Sequence, residues 1–343
     1  MRNLQLLVLL GVILLLVFYS IYERLQDPVR SDYEQDYAYQ LYLANKEVPQ
    51  QIYFLDEEVP LYDAQVRERF AYEIYILTKW RSYTIELLSK AKYWLPIFEK
   101  ILRSYELPAD FKYLVVIESG MRNVVSPAGA AGFWQLLPET ARMMGLRVDH
   151  EVDERYHPVK AAHAAARYLR LAYKEIGSWT YVAASYNAGI GAMRYAVATQ
   201  QAPSYYYMVL NPETNRYVMK AAAFKEVYEH PLKYGFDLPI RAWQPPAYRT
   251  IQVRTSIPSL KKFAQMQGTS LKTLRALNPW LVGESLTLPE GKTYEIRLPV
   301  QADYEATLED EEKTTPPPVD SLGVPADSPT VQDRVNHIAA DRE

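Results

Sequence analysis

The chain has 343 residues, room for two or three domains, and its formal net charge of -3 offers no excess of positive charge for a polyanionic partner such as nucleic acid. Cysteine is absent, which excludes structural disulfides, thiolate metal sites, a cysteine nucleophile and a lipid-modified N-terminal cysteine. The 29 tyrosines and 6 tryptophans suit packing, and rings of this kind also serve as stacking platforms in sugar-binding clefts.

In chain order, the first element is an uncharged apolar run from Leu6 to Tyr22, preceded by Arg2 and followed by Glu23 and Arg24. It reaches the short end of the roughly 17–25 residues that a bilayer-spanning helix requires. Bulky Phe18, Tyr19 and Ile21 leave no small-residue cleavage site, so residues 1–24 read as an uncleaved signal-anchor with the remainder exported. A cleaved signal peptide and a buried core helix are the alternatives. Residues 25–65 mix Asp, Glu, Gln, Tyr and Pro without a sustained period and read as a stalk or partly ordered arm.

From Val66 to Tyr228 helical patterns follow one another with short breaks. Pro96, Pro108, Pro127, Pro138, Pro158 and Pro212 are expected at element starts or turns. Phe111, Leu114 and Val115 precede Glu118 at i−7, i−4 and i−3, placing an acid on an apolar stripe, and Gly120 offers a helix stop. A desolvated carboxyl stays protonated near neutral pH, the state of a general acid. Spacing alone favours the plainer alternative, an acid at a helix end that reaches out to water. Ala161, Ala165, Tyr168, Leu169 and Ala172 form one stripe on an alanine-rich helix. Tyr217, Ala221, Phe224 and Tyr228 form another on a helix begun by Asn211-Pro212-Glu213, a capping side chain followed by proline and an acid. The block 66–240 is thus expected to be all-α.

After Pro245-Pro246 the pattern changes. Thr250–Arg254 and Tyr294–Leu298 alternate like strands and enclose two short helical stretches, Ser259–Met266 and Ser270–Leu277. Residues 247–300 therefore form a β-α-α-β module, so the chain as a whole is mainly α with a small α+β domain. Residues 301–343, rich in Pro, Asp, Ser and Thr from Thr314 on, cannot bury a core and read as a disordered tail.

Five motifs in order carry a family resemblance over residues 85–235. They are Glu118-Ser119-Gly120; the Ser126–Ala141 segment with Gly129, Gly132, Trp134, Gln135 and Pro138; Asp153-Glu-Arg155-Tyr-His-Pro158; Ala184-Ser-Tyr186-Asn187-Ala188-Gly189; and Pro212-Glu213-Thr214 with Tyr217. The block resembles the family 1 lytic transglycosylases, the goose-lysozyme-like domain that cleaves bacterial peptidoglycan. The membrane-bound D-type, with C-terminal LysM modules, is the nearest match. Leu260, Phe263-Ala264, Gly268, Ser270, Leu274, Leu277-Asn278-Pro279 and Leu288-Pro289 fit one LysM copy, although Ile257-Pro258-Ser259-Leu260 stands where LysM usually has Gly-Asp-Thr-Leu.

The resemblance implies a lysozyme-like catalytic domain, no cofactor, peptidoglycan glycan strands as partner, and an envelope location with the catalytic domain in the periplasm. Ordinary glycosidases use two carboxylates. Here Asp110 and Glu139 lie at probable helix starts, where an acid serves as cap or dipole partner, and Glu118 is the one core-placed acid. One suffices if the substrate supplies the nucleophile: in the family, the 6-hydroxyl of N-acetylmuramic acid attacks its own anomeric carbon. Glu118 is then acid and base in turn. The resemblance further implies that Tyr186 holds the Glu118 carboxyl, that Ser126 supports it, and that Gln135, Asn187 and Tyr217 line the cleft or contact sugar. Ser126 follows Glu118 by eight residues where the family has nine, from a one-residue deletion. His150, His157, His163, His230 and His337 show no paired metal-ligand spacing, so no metal is expected. Two other readings remain open, a muramidase of the same fold that uses water and an inactive glycan-binding scaffold.

Overall fold

The computed structural model describes residues 37–38, 41, 45–237 and 240–301. The Leu6–Tyr22 run and nearly all of the 301–343 tail lie outside the described residues. Among the described residues no helix is long and apolar enough to cross a membrane.

Two residue pairs, β1 (Tyr53–Phe54) and β2 (Glu57–Glu58), form a small hairpin that leads into the helices. The expectation of an arm over 25–65 is corrected here, because Val48, Ile52, Phe54, Leu55, Val59 and Leu61 are all buried in the main core. The apolar residues that lacked a period belong to short turns, where burial does not follow a helical repeat. Glu57 fixes the hairpin from the other side, accepting from the Thr180 hydroxyl at 2.7 Å and the Ser178 hydroxyl at 2.9 Å.

The helical body comprises α1 (Ala64–Lys79), α2 (Arg81–Ser104), α3 (Leu114–Ser119), α4 (Pro138–Met143), α5 (Pro158–Ile176), α6 (Trp179–Ala188), α7 (Ile190–Gln200) and α8 (Pro212–Glu229). Pro138, Pro158 and Pro212 open α4, α5 and α8, and the Asn211 side chain accepts the Thr214 amide at 2.9 Å. Pro96 departs from expectation and lies inside α2. Pro96 and Lys92, whose carbonyl the ring leaves unpaired, are both exposed, so water can satisfy the freed acceptor. On α5 the residues Ala161, Ala162, Ala164, Ala165, Ala166 and Ala172 are all buried, and their small side chains let α2 and α6 pack close. Helix α8 lies at the centre, against α1, α3 and α6, which brings its Tyr217 to the end of α3.

The module consists of β3 (Tyr248–Val253), α9 (Leu260–Met266), α10 (Leu271–Leu277) and β4 (Tyr294–Pro299). The order and type of its elements are those the alternation and capping serines predict. Ser259 and Ser270 each accept an amide in the first turn of the helix that follows. Strands β3 and β4 pair antiparallel, with Tyr248 opposite Pro299 and Val253 opposite Tyr294. The second core contains Leu260, Leu274, Leu281, Leu286, Ile296 and Leu298, together with Val152 from the helical body. The connecting chain is strapped along α2: the Trp243 amide donates to the Ser89 carbonyl at 3.0 Å, and Lys92 Nζ donates to the Ile240 carbonyl at 2.7 Å.

Candidate active site

Glu118 sits at the end of a short helix, not a long one. The pattern from Phe111 to Glu118 divides into a 3-10 turn (Ala109–Tyr113) and α3, which ends at Gly120 in the left-handed conformation (φ 59°). Phe111, Leu114 and Val115 are fully buried, so the stripe anchors the helix and leaves Glu118 half-buried at its last turn. Burial pushes the Glu118 carboxyl up to about 7. The Tyr217 hydroxyl, donating to Oε1 at 2.5 Å, works against that rise because it favours the ionised form; the nearby Glu213 carboxylate adds to it and the Lys220 ammonium opposes it.

The two tyrosines exchange the places the resemblance implies. Tyr217 from α8, buried, holds Glu118, whereas the Tyr186 hydroxyl donates to the Trp134 carbonyl at 2.7 Å. Tyr186 still borders the acid, since the charge of Glu118, after burial, is the next cause of its raised pKa. Ser119 anchors the same loop from the helix side, its hydroxyl donating to the Phe133 carbonyl at 2.8 Å. The loop 126–136 is therefore held next to Glu118 by Ser119 and Tyr186 on adjacent carbonyls.

Ser126 closes the turn at the start of this loop. Its hydroxyl accepts the Ala130 amide at 3.1 Å and its own amide donates to the Ala130 carbonyl at 2.8 Å. The expectation that it supports Glu118 directly is corrected by these partners, which suit the shortened loop. Gln135 is likewise turned to the backbone: at φ 45° its side-chain amide donates to the Val124 carbonyl at 2.9 Å and the Gly132 carbonyl at 2.7 Å. Gly132 itself has no room for a side chain, because a Cβ there would lie 1.9 Å from the Arg155 carbonyl oxygen. Asn187 joins α6 to α8, donating to Glu213 Oε1 at 2.8 Å and accepting the Thr214 hydroxyl at 2.7 Å.

Glu213 is not among the expected site residues; its signals in the sequence are its place in the Pro212-Glu213-Thr214 motif and as an acid in the first turn of α8. Asp110 is committed elsewhere, accepting the Leu55 amide at 3.0 Å and Lys225 Nζ at 2.9 Å, while Glu139 is exposed in the first turn of α4. Among the described residues no group of three or more His, Asp or Glu side chains is placed to hold a metal ion.

An apolar cleft of about 270 Å³ opens beside α3, lined by Tyr83, Leu87, Val116, Ile117, Lys220 and Phe224 among others. A single half-buried acid with a raised pKa, beside a buried phenol, can give a proton and take one back.

Comparison with known proteins matches two stretches of the chain to described domains. Residues 96–209 match the transglycosylase SLT domain, and residues 249–302 match the soluble lytic transglycosylase C-terminal LysM-like domain. The chain is 27% identical over 213 residues to the membrane-bound lytic murein transglycosylase D of Escherichia coli, covering 60% of this chain and 46% of that protein. It thus spans about half the length of the curated relatives it matches. Among solved structures, the lytic transglycosylase Slt of Pseudomonas aeruginosa, in an inactive mutant, gives 18% identity and a TM-score of 0.33 over 52% of this chain and 34% of that one. The 70 kDa soluble lytic transglycosylase of Escherichia coli gives 18% identity and a TM-score of 0.34 over 52% and 35%. The assignment rests on the sequence matches: the chain carries a lytic transglycosylase SLT domain followed by a LysM-like domain of the kind found in soluble lytic transglycosylases.

Proposed function

We propose that the chain is a peptidoglycan lytic transglycosylase, anchored to the inner membrane by Leu6–Tyr22 with its catalytic domain in the periplasm. It cleaves the β-1,4 bond between N-acetylmuramic acid and N-acetylglucosamine and leaves a 1,6-anhydro end. The observation that carries this reading is the Glu118 carboxyl, raised to about 7 by burial and held by the Tyr217 hydroxyl. The name of the D-type relative, a membrane-bound murein transglycosylase, supports both substrate and location.

In the first step Glu118, protonated, gives its proton to the glycosidic oxygen as the bond to the anomeric carbon breaks. The carboxylate so formed is stabilised by the Tyr217 hydroxyl, which is already in place and needs no reorganisation. In the second step the muramic acid 6-hydroxyl bonds to the anomeric carbon and Glu118 takes the hydroxyl proton, which restores the acid. The attacking group belongs to the same sugar, so its effective concentration is high and no second carboxylate is required to activate water. Tyr186, Gln135, Ser126 and Asn187 act in this reading by fixing the loop 126–136 and the start of α8 around the acid.

Mass spectrometry of sacculus digests tests the reading. The parent protein releases anhydro-muropeptides and the Glu118→Gln variant releases none; reducing-end products from the parent would reject the transfer step. A hydrolytic muramidase is the second reading, and Glu213 is what favours it, being an acid close enough to raise the Glu118 pKa. In that case products are one water heavier and Glu213→Gln abolishes their formation, whereas the transglycosylase reading leaves anhydro products in that variant.

A further inference from the structure

The LysM-like module docks on the loop 147–156 of the helical body, and that same loop carries the side chain that seats the loop beside Glu118. Val152 is fully buried in the module's core and bridges to Leu281. Glu151, buried, accepts the Ser285 hydroxyl, the Thr287 amide at 2.9 Å and the Thr287 hydroxyl at 3.0 Å, and pairs with Arg147 at 2.9 Å. Its carbonyl accepts the Val282 and Gly283 amides at 3.0 Å each. The approach is so close that a Cβ on Gly283 would lie 2.7 Å from both Glu151 Cα and the His150 carbonyl oxygen. The Asp153 amide then donates to the Trp280 carbonyl at 2.9 Å.

From Asp153 the connection runs into the helical body. Its carboxylate accepts Arg155 Nη2 at 2.7 Å and Nε at 3.0 Å, with both side chains buried. Arg155 Nη1 in turn donates to the Gly129 carbonyl at 2.8 Å and the Leu136 carbonyl at 3.0 Å, the two limbs of the loop 126–136. Ser119 and Tyr186 bind that loop at Phe133 and Trp134. The series of contacts thus runs from the module to Ser119, the residue that follows Glu118.

We propose that the LysM-like module is an intramolecular brace, and that Arg155 is a positioning residue through which docking of the module fixes the loop 126–136 next to Glu118. The proposal rests on the reading of Glu118 as the acid. Contacts that a free-standing glycan-binding module would leave open are here directed at the enzyme's own loop.

Full-length variants test it through amide hydrogen exchange and steady-state kinetics on purified glycan strands. Gly283→Val forces the module off the loop, and Ser285→Ala with Thr287→Val weakens the same contact more gently should the first variant fail to fold. Both are expected to speed exchange at the Val152, Val282 and Gly283 amides and also across 126–136. They lower kcat roughly 3- to 30-fold with KM unchanged. Arg155→Lys gives the same loss, and combining it with the Gly283 or Ser285 change adds little further. Faster exchange at the docking amides with 126–136 still protected would overturn the brace, as would a rise in KM at constant kcat, which marks a glycan-binding module. Parent protein that releases no anhydro product removes the catalytic reading instead, and the exchange data still decide whether the module braces the loop.

Discussion

Glu118 at the end of α3 and Glu151 at the domain junction are both withdrawn from water, and their carboxyls go opposite ways. Among the described residues Glu118 has one neutral donor, the Tyr217 hydroxyl, and burial outweighs it to raise the carboxyl to about 7. Glu151 has the Ser285 hydroxyl, the amide and hydroxyl of Thr287, and Arg147; led by the Ser285 bond, these outweigh burial and lower the carboxyl to about 2. The difference lies in which influence leads: burial outweighs a single phenol at Glu118, and hydrogen bonds outweigh a smaller cost of burial at Glu151. A fully hydrogen-bonded carboxylate stays charged and fastens two pieces of structure, whereas an under-supplied one keeps its proton available for chemistry.

The contrast can be broken most directly at Glu118. Glu118→Gln, which keeps the shape and removes the proton, is expected to lower anhydro-product release by roughly 10²- to 10⁴-fold. Retained turnover in that variant would place the acid elsewhere. At the other site Glu151→Ala removes the acceptor of the Ser285 hydroxyl and of the Thr287 amide and hydroxyl, leaves Arg147 with Asp149 and the Thr287 carbonyl, and is expected to cost ~3 kcal/mol in denaturant unfolding. Because the folded pKa of Glu151 lies below that of the unfolded chain, its contribution is present above about pH 4.5 and is lost as pH falls toward about 2. Parent and Glu151→Ala should therefore converge in stability in acid, and parallel curves down to the lowest pH would contradict the pairing.

Tyr217→Phe sharpens the comparison by removing the hydroxyl that donates to Glu118. Release is expected to fall roughly 10- to 100-fold. Removing a donor that favours the ionised form raises the Glu118 pKa further, so the alkaline limb of the kcat profile moves to higher pH. A limb that stays in place would mean that Glu118 is not the group titrating there. The smallest effect is on stability. A carboxyl with a raised folded pKa favours the fold below about pH 4.5, and this advantage is lost as pH rises through about 7. Glu118→Gln should then be more stable than the parent at pH 8 by ~1–2 kcal/mol after allowance for partial exposure, and should lose that margin in acid. Thermal melts at both pH values measure it.

Much of this was legible from residue order. The apolar stripe through Phe111, Leu114 and Val115, the stop at Gly120, the capped start of α8 and the alternating strands of the module are local patterns, and they hold. The partner of the acid was not legible, because Tyr186 and Tyr217 both lie on apolar stripes and only the packing of α8 against α3 selects Tyr217. Gln135 illustrates a second limit: its side chain answers the backbone of its own turn, and nothing in its spacing separates that from a sugar contact. Neither Glu151 nor Val152 carries any periodic signal. An acid and a lone valine in a short loop read as solvated surface until the module is seen covering them.

Strands β3 and β4 end side by side, with Tyr248 opposite Pro299 in the register. The chain accordingly enters and leaves the module at one end of its sheet, whereas the module's contacts with the loop 147–156 come from residues 280–287. Sequence following Pro299 therefore extends from the paired sheet end, not from the residues 280–287 on which the module is seated.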